Sequence, residues 1–142
     1  MIITKEFQFD MAHMLDGHDG KCKNLHGHTY KIKTGIKGDI IQNGSKKGMV
    51  MDYGEIKDIV NEHILNKMDH SYIYDSKSII ETEIANILIK NNQKVYCFEG
   101  RTTAENLSSH IYKILKKEIT NLMFVQVYET PSSSAYFGDY YD

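Results

Sequence analysis

Apolar and polar residues alternate along the first dozen positions. From Ile3 the odd positions run through Lys5, Phe7, Phe9 and Met11, against Thr4, Glu6, Gln8 and Asp10, a period of two that predicts a β-strand with one apolar face. His28, Tyr30, Ile32 and Ile36 alternate with Thr29, Lys31, Lys33 and Lys37 in a second strand. The polar run Asn43-Gly44-Ser45-Lys46-Lys47-Gly48 reads as a turn returning into Met49-Val50-Met51. Asp52 with Glu55 then resembles an N-cap and its capping-box partner, and Ile56, Ile59, Val60, Ile64 and Met68 keep the stripe of a helix. Ser78 with Glu81 opens a shorter helix, in which Ile80, Ile84, Ile87 and Leu88 share a face until Asn91-Asn92 stops it. Val95 to Phe98 reads as a short strand. Thr102 with Glu105 starts the next helix, with Ala104, Leu107, Ile111, Ile114 and Leu115 as its apolar stripe. Met123, Val125 and Val127 alternate with Phe124, Gln126 and Tyr128 in a third long strand, and a turn from Pro131 to Ser134 leads to a short last one.

This order predicts an α+β fold, an antiparallel sheet of about four strands with two main helices packed on one face. The length of 142 residues, 41% of them hydrophobic, suits one domain over 1–142, and no repeat or linker divides it. So small a sheet has two open edges, which predicts pairing with further copies of the chain.

Composition narrows the function. A net charge of -2 provides no positive field for a polyanion, so nucleic acid is not an expected partner. Lys5, Glu6 and Asp10 interrupt the N-terminal apolar residues, and no apolar run approaches the ~18 residues of a membrane span, so a cytoplasmic protein without a membrane partner is expected. Two cysteines, Cys22 and Cys97, cannot build a disulfide framework.

Candidate chemistry lies in the histidines. His26 and His28 flank Gly27 at the entry to the second strand, and a spacing of two puts both imidazoles on one face. His13 ends the first strand with the parity of Phe7, Phe9 and Met11, so pairing of the two strands would bring it to the others. Three neutral imidazoles leave a zinc ion its full charge and a vacant position, the catalytic arrangement. Cys22, four residues before His26, has three readings: a fourth ligand that closes the site, a base or nucleophile, or an inert thiol. Asp69-His70 follows the first long helix, and a carboxylate beside a histidine can set its tautomer for proton transfer, although adjacent side chains often point apart. Glu129 ends the apolar face of the third long strand, where it must find donors or reach solvent; Glu105 has a structural explanation in its capping box.

Together these pieces resemble the family of 6-pyruvoyltetrahydropterin and 6-carboxytetrahydropterin synthases. The matching segments are Phe7 through His13, Cys22 through His28, Gly48 through Tyr53, Met68-Asp69-His70, Thr103-Ala104-Glu105-Asn106 and Tyr128-Glu129-Thr130, in the family's order. The resemblance implies the tunnelling fold, a homohexamer of two stacked trimers whose sheets close into a barrel, with pockets lined by neighbouring subunits. It implies zinc on His13, His26 and His28, proton transfer by Cys22 with Asp69 and His70, and a pterin anchored by Glu129 in a pocket that Thr103 and Glu105 also line. The three-residue gap between Cys22 and His26 resembles the bacterial enzymes of the queuosine pathway, which convert 7,8-dihydroneopterin triphosphate to 6-carboxy-5,6,7,8-tetrahydropterin, acetaldehyde and triphosphate. The alternatives are a sister enzyme that makes 6-pyruvoyltetrahydropterin or a folate precursor, and a zinc-stabilised pterin-binding module without turnover. Met11, Met68, Ile73-Tyr74 and Arg101-Thr102 depart from the family's usual residues, and the segment from Ser78 to Gly100 is longer than in its shortest members.

Overall fold

The computed structural model describes residues 1–139; the last three residues of the expected 1–142 domain lie outside that range. β1 (Ile2–His13) and β2 (His26–Lys37) carry the two alternating segments and pair antiparallel throughout, from Ile2 opposite Lys37 to His13 opposite His26. Opposed residues share a face, so Phe7 beside Ile32 and Phe9 beside Tyr30 form one apolar stripe. β3 (Ser71–Asp75) and β4 (Val95–Phe98) extend the sheet beyond β1, while β5 (Leu122–Thr130) and β6 (Ser133–Gly138) extend it beyond β2. The order is β4-β3-β1-β2-β5-β6.

The sheet thus has six strands, not about four, and it is mixed rather than antiparallel, because β3 runs parallel to β1 and β4 parallel to β3. β3 escapes the alternation rule for a physical reason. Ser71, Tyr72, Ile73 and Tyr74 are all buried, so neither face supplies the polar positions that mark a half-buried strand. The expected return through Met49-Val50-Met51 is a loop instead. Both edges of β2 are already paired, with β1 and with β5, and leave no ladder for another strand.

Two helical segments cover one face, as expected. α1 (Tyr53–Val60) begins where the Asp52 carboxylate accepts the Gly54 N–H at 2.8 Å, and it continues through a π turn, Asn61–Leu65, into α2 (Asn66–Met68). After α3 (Ile79–Lys90), α4 (Ala104–Lys116) packs on the same face as α1. Ile56, Val60, Ile64 and Met68 join Leu107, Ile111 and Leu115 over Phe9, Tyr30, Ile32, Val125 and Val127 in a single core. The cap of α4 differs by one residue from the sequence reading. Thr103, not Thr102, accepts the Asn106 N–H (3.3 Å), which leaves Glu105 short of the capping-box position and frees Thr102 for another contact.

α3 lies on the opposite face, where Ala85 packs with Tyr72 and Tyr74. Its expected apolar stripe is only half buried. Ile84 and Leu88 turn inward, but Ile80 and Ile87 are exposed, and Glu81 is buried in their place because its carboxylate accepts the Asp75 N–H at 3.2 Å. No helix among the described residues is long and apolar enough to cross a membrane.

Gly35 faces Phe124 across the β2–β5 ladder, and the Phe124 ring stacks on Tyr136 with centroids 4.6 Å apart. A Cβ at position 35 would lie 2.0 Å from that ring, far inside van der Waals contact. Gly35→Ala is expected to destabilise the fold by about 1–3 kcal/mol, the usual cost of overpacking, read as a lower urea midpoint.

Candidate metal centre

The β1–β2 register places three imidazoles at one end of the buried stripe. His13 is opposite His26 and Met11 is opposite His28, so all three rings occupy the core face. Their centroids are 4.7, 4.9 and 5.1 Å apart, and one nitrogen from each lies within 4.8 Å of the others. His13 is 1% exposed, and burial, opposed by a hydrogen bond to Thr102 and assisted by His26 and His28, lowers its pKa to about 4. Burial, followed by His26, lowers that of His28 as well. Neutral imidazoles are the form in which histidine donates a lone pair to a cation.

The second nitrogen of two rings is already committed. His13 Nδ1–H donates to the Thr102 carbonyl at 3.0 Å and lies 3.1 Å from the Thr102 hydroxyl, and His26 Nδ1–H donates to the Asn24 carbonyl at 2.7 Å. A carbonyl can only accept, so the proton sits on Nδ1 and Nε2 keeps its lone pair. His13 Nε2 is 3.1 Å from His28 Nε2, close to the ~3.3 Å between two nitrogen ligands on one tetrahedral zinc. The donor set fits a divalent transition metal. Cys22, on the turn Lys21–Lys23, is half-buried and is not in this cluster, which among the described residues comprises the three histidines alone.

One carboxylate acts on the trio, through His26, and a second acts on that carboxylate. Glu129 on β5 shares the face of Val125 and Val127, and burial, followed by the charge of Glu105, raises its pKa while His26 acts in the opposite sense. Glu105 enters from the first turn of α4, beside the Thr103 cap. Thr103 spends its hydroxyl on the Asn106 N–H. The charge of Glu105 adds to the cost of ionising Glu129.

Asp69 and His70 stand elsewhere. His70 Nδ1 donates to Asp69 Oδ1 at 2.8 Å, so these adjacent side chains do meet, and the His70 side chain is 76% exposed. A φ of +59° makes it possible, since the left-handed backbone turns the ring back toward its neighbour. His70 lines a cavity of about 550 Å³ with Asp10, Thr29, Tyr72, Leu88 and Lys94. Asp10 and Thr29 have the opposite parity to the three metal-site histidines, so this cavity opens on the α3 side of the sheet. His28 also borders this cavity, but neither Asp69 nor His70 is among the groups clustered with the three imidazoles.

A family model described as 6-pyruvoyl tetrahydropterin synthase matches residues 2–139. The chain belongs to that family. It is 49% identical over 132 residues to the 6-carboxy-5,6,7,8-tetrahydropterin synthase of Haemophilus influenzae, covering 92% of this chain and 94% of the relative. It is 36% identical over 140 residues to the protein of the same name from Rickettsia felis, covering 91% and 94%. The structure of the Caenorhabditis elegans 6-pyruvoyl tetrahydropterin synthase superposes with a TM-score of 0.71 at 22% identity, over 99% of this chain and 96% of that one. The α+β tunnelling fold is therefore the fold of this member too, with the strand count corrected as above.

Sequence reasoning misses Thr102. The sequence assigns it to the cap of α4, the role that its neighbour Thr103 takes, and only the three-dimensional proximity of residues 13 and 102 reveals a fully buried threonine behind the His13 ring. Replacing His28 by Ala should abolish stoichiometric metal binding. Thr102→Val keeps the carbonyl and removes the hydroxyl, and is expected to lower metal affinity about tenfold, the lower end for an outer partner of a ligating histidine. Metal content after dialysis and chelator competition measure the two effects.

Proposed function

We propose that this chain converts 7,8-dihydroneopterin triphosphate and water to 6-carboxy-5,6,7,8-tetrahydropterin, acetaldehyde and triphosphate, as a zinc-dependent carbon–carbon lyase of queuosine biosynthesis. The observation that carries this reading is the cluster of buried His13 with half-buried His26 and His28 in a chain 49% identical to a relative named for that product. Zinc is the fitting ion, because neutral imidazoles and an open position make it a Lewis acid for the substrate's side-chain oxygens without redox change. One water is required for the atoms to balance.

The protein groups take separate tasks. Glu129 accepts two parallel N–H bonds from the aminopyrimidinone edge of the pterin, as a carboxylate does from arginine, and bound donors relieve its repulsion from Glu105. Thr103 and Glu105 hold the adjoining wall where α4 begins. Cys22 takes a proton from the substrate side chain. Asp69 and His70 carry a proton to or from the oxygen that changes charge as the carbon–carbon bond breaks in a retro-aldol sense. Because the pair lies on the α3 side of the sheet, it serves the zinc site of a neighbouring subunit, which accords with a homohexamer built as two trimers. The cytoplasm, where thiols stay reduced, suits Cys22.

Incubating zinc-loaded protein with dihydroneopterin triphosphate and identifying the pterin by mass tests the function; the pyruvoyl product, or no product, would overturn it. Glu129→Gln is expected to retain zinc and to weaken pterin binding at least tenfold, measured by titration, since an amide offers one acceptor and repels one of the two donors. Cys22→Ala is expected to leave zinc and pterin binding near normal and to lower turnover by roughly a hundredfold, the scale of a positioned proton-transfer group. Loss of zinc from this variant would identify Cys22 as a ligand instead.

A further inference from the structure

We propose that Lys94 is a positioning residue that holds Asp69 and His70 in register for proton transfer, an inference that rests on the role given to that pair above. Asp69 ends the helical run that closes with α2, and its backbone has already left the helix, with φ -62° and ψ 131°. Its carbonyl is thus a helix-end acceptor without an intrahelical donor. The Lys94 ammonium donates to this carbonyl at 2.6 Å. A cation at this end of a helix also opposes the partial negative charge there.

The need for such a clamp follows from the next residue. His70 has φ +59°, a conformation that residues with a Cβ rarely adopt and that persists only where its surroundings enforce it. β1 enforces it from one side: the His70 N–H donates to the Asp10 carbonyl at 2.7 Å, and the Asp10 N–H donates to Asp69 Oδ1 at 3.1 Å. Lys94 acts from the other side, and its own place is fixed where the Tyr72 N–H donates to its carbonyl at 3.1 Å, immediately before β4. The charged groups around the pair are accounted for. The Asp10 carboxylate accepts the Thr29 hydroxyl at 2.6 Å, and partial burial of Asp69 is outweighed by the Asp10 N–H, His70 and Lys94, which keep it below the ordinary carboxylate pKa. An ionised Asp69 accepts the His70 Nδ1 proton and leaves Nε2 with its lone pair, on a ring that lines the same cavity as Lys94. The connection through α3 to β4, which has no other part in the proposed reaction, supplies this cation.

The test uses zinc-loaded Lys94→Met, Lys94→Arg and parent protein. Lys94→Met is expected to lower kcat about tenfold, since small misplacements of a proton-transfer group are costly in rate, with KM and zinc content unchanged. Lys94→Arg, which keeps charge and donor, should retain most of the parent rate. In a His70→Ala background Lys94→Met should add nothing, because its effect passes through His70. A parent-like kcat in Lys94→Met, an effect that persists without His70, or a raised KM at unchanged kcat would overturn the proposal; the last would make Lys94 a substrate contact. The His70 ring resonances, followed by NMR without substrate, should shift in Lys94→Met while those of His63 stay in place. Unshifted His70 resonances would likewise overturn it. If the parent fails to turn over dihydroneopterin triphosphate, the proposed function falls, and the NMR comparison still decides whether Lys94 positions His70.

Discussion

The pairing register of β1 with β2 is the constraint on which the rest of this structure depends. Side chains alternate with a period of two, so a slip of one residue would move His13 away from His26 and turn one strand's apolar set to the wrong face. The register is held by burial. Phe7 against Ile32 and Phe9 against Tyr30 lie under α1 and α4, and exposing such side chains costs roughly 1.5–3 kcal/mol each, far more than any single ladder bond returns. The metal-site histidines occupy the last positions of this stripe and inherit its precision without needing contacts of their own to set it.

Placing imidazoles at the end of a core creates a second demand. A buried ring with an unpaired N–H is unfavourable, and the chain meets this with the carbonyls of Thr102 and Asn24, one from the approach to α4 and one from the loop that carries Cys22. Each bond fixes a tautomer as well as an orientation, so the elements that close the core also decide which nitrogen keeps its lone pair. The fully buried Tyr30 hydroxyl belongs to the same surroundings: burial and the charge of Glu129 hold its pKa up, so it stays a neutral phenol among the rings of His13 and His28. Burial is the leading cause of both the His13 and the Glu129 shift, because a water-poor slot disfavours charge of either sign.

How much of this could be read from the sequence follows the same physics. β1 and β2 are legible because each alternates over most of its length, β5 because Val125 and Val127 alternate with Gln126 and Tyr128, and His13, His26 and His28 because they share the parity of the buried face. β3 is not, because burial on both sides erases the alternation, and the exposed isoleucines of α3 mislead because a buried Glu81, satisfied by the Asp75 N–H, takes the position an apolar residue would be expected to fill. Thr102 and Lys94 are illegible for another reason. Their contacts, with His13 and Asp69, join positions 89 and 25 residues apart, and no local pattern encodes them.

The division of candidate groups between the two faces of one sheet also bears on assembly. The three imidazoles share the parity of the core face, and His70 opens on a cavity lined by Asp10 and Thr29, of the opposite parity, which His28 also borders. Neither Asp69 nor His70 belongs to the cluster of three imidazoles, and the register of β1 cannot change without losing the core. If proton transfer and the metal belong to one reaction, the missing half must come from a second copy. The sheet is suited to this. Among the described residues β4 and β6 each offer one unpaired edge at opposite ends, an arrangement that can close into a ring when repeated head to tail. On this argument oligomerisation is a condition for assembling the proposed active site as well as a remedy for exposed strand edges, and a mutation at either edge acts on catalysis through geometry even where it touches no substrate.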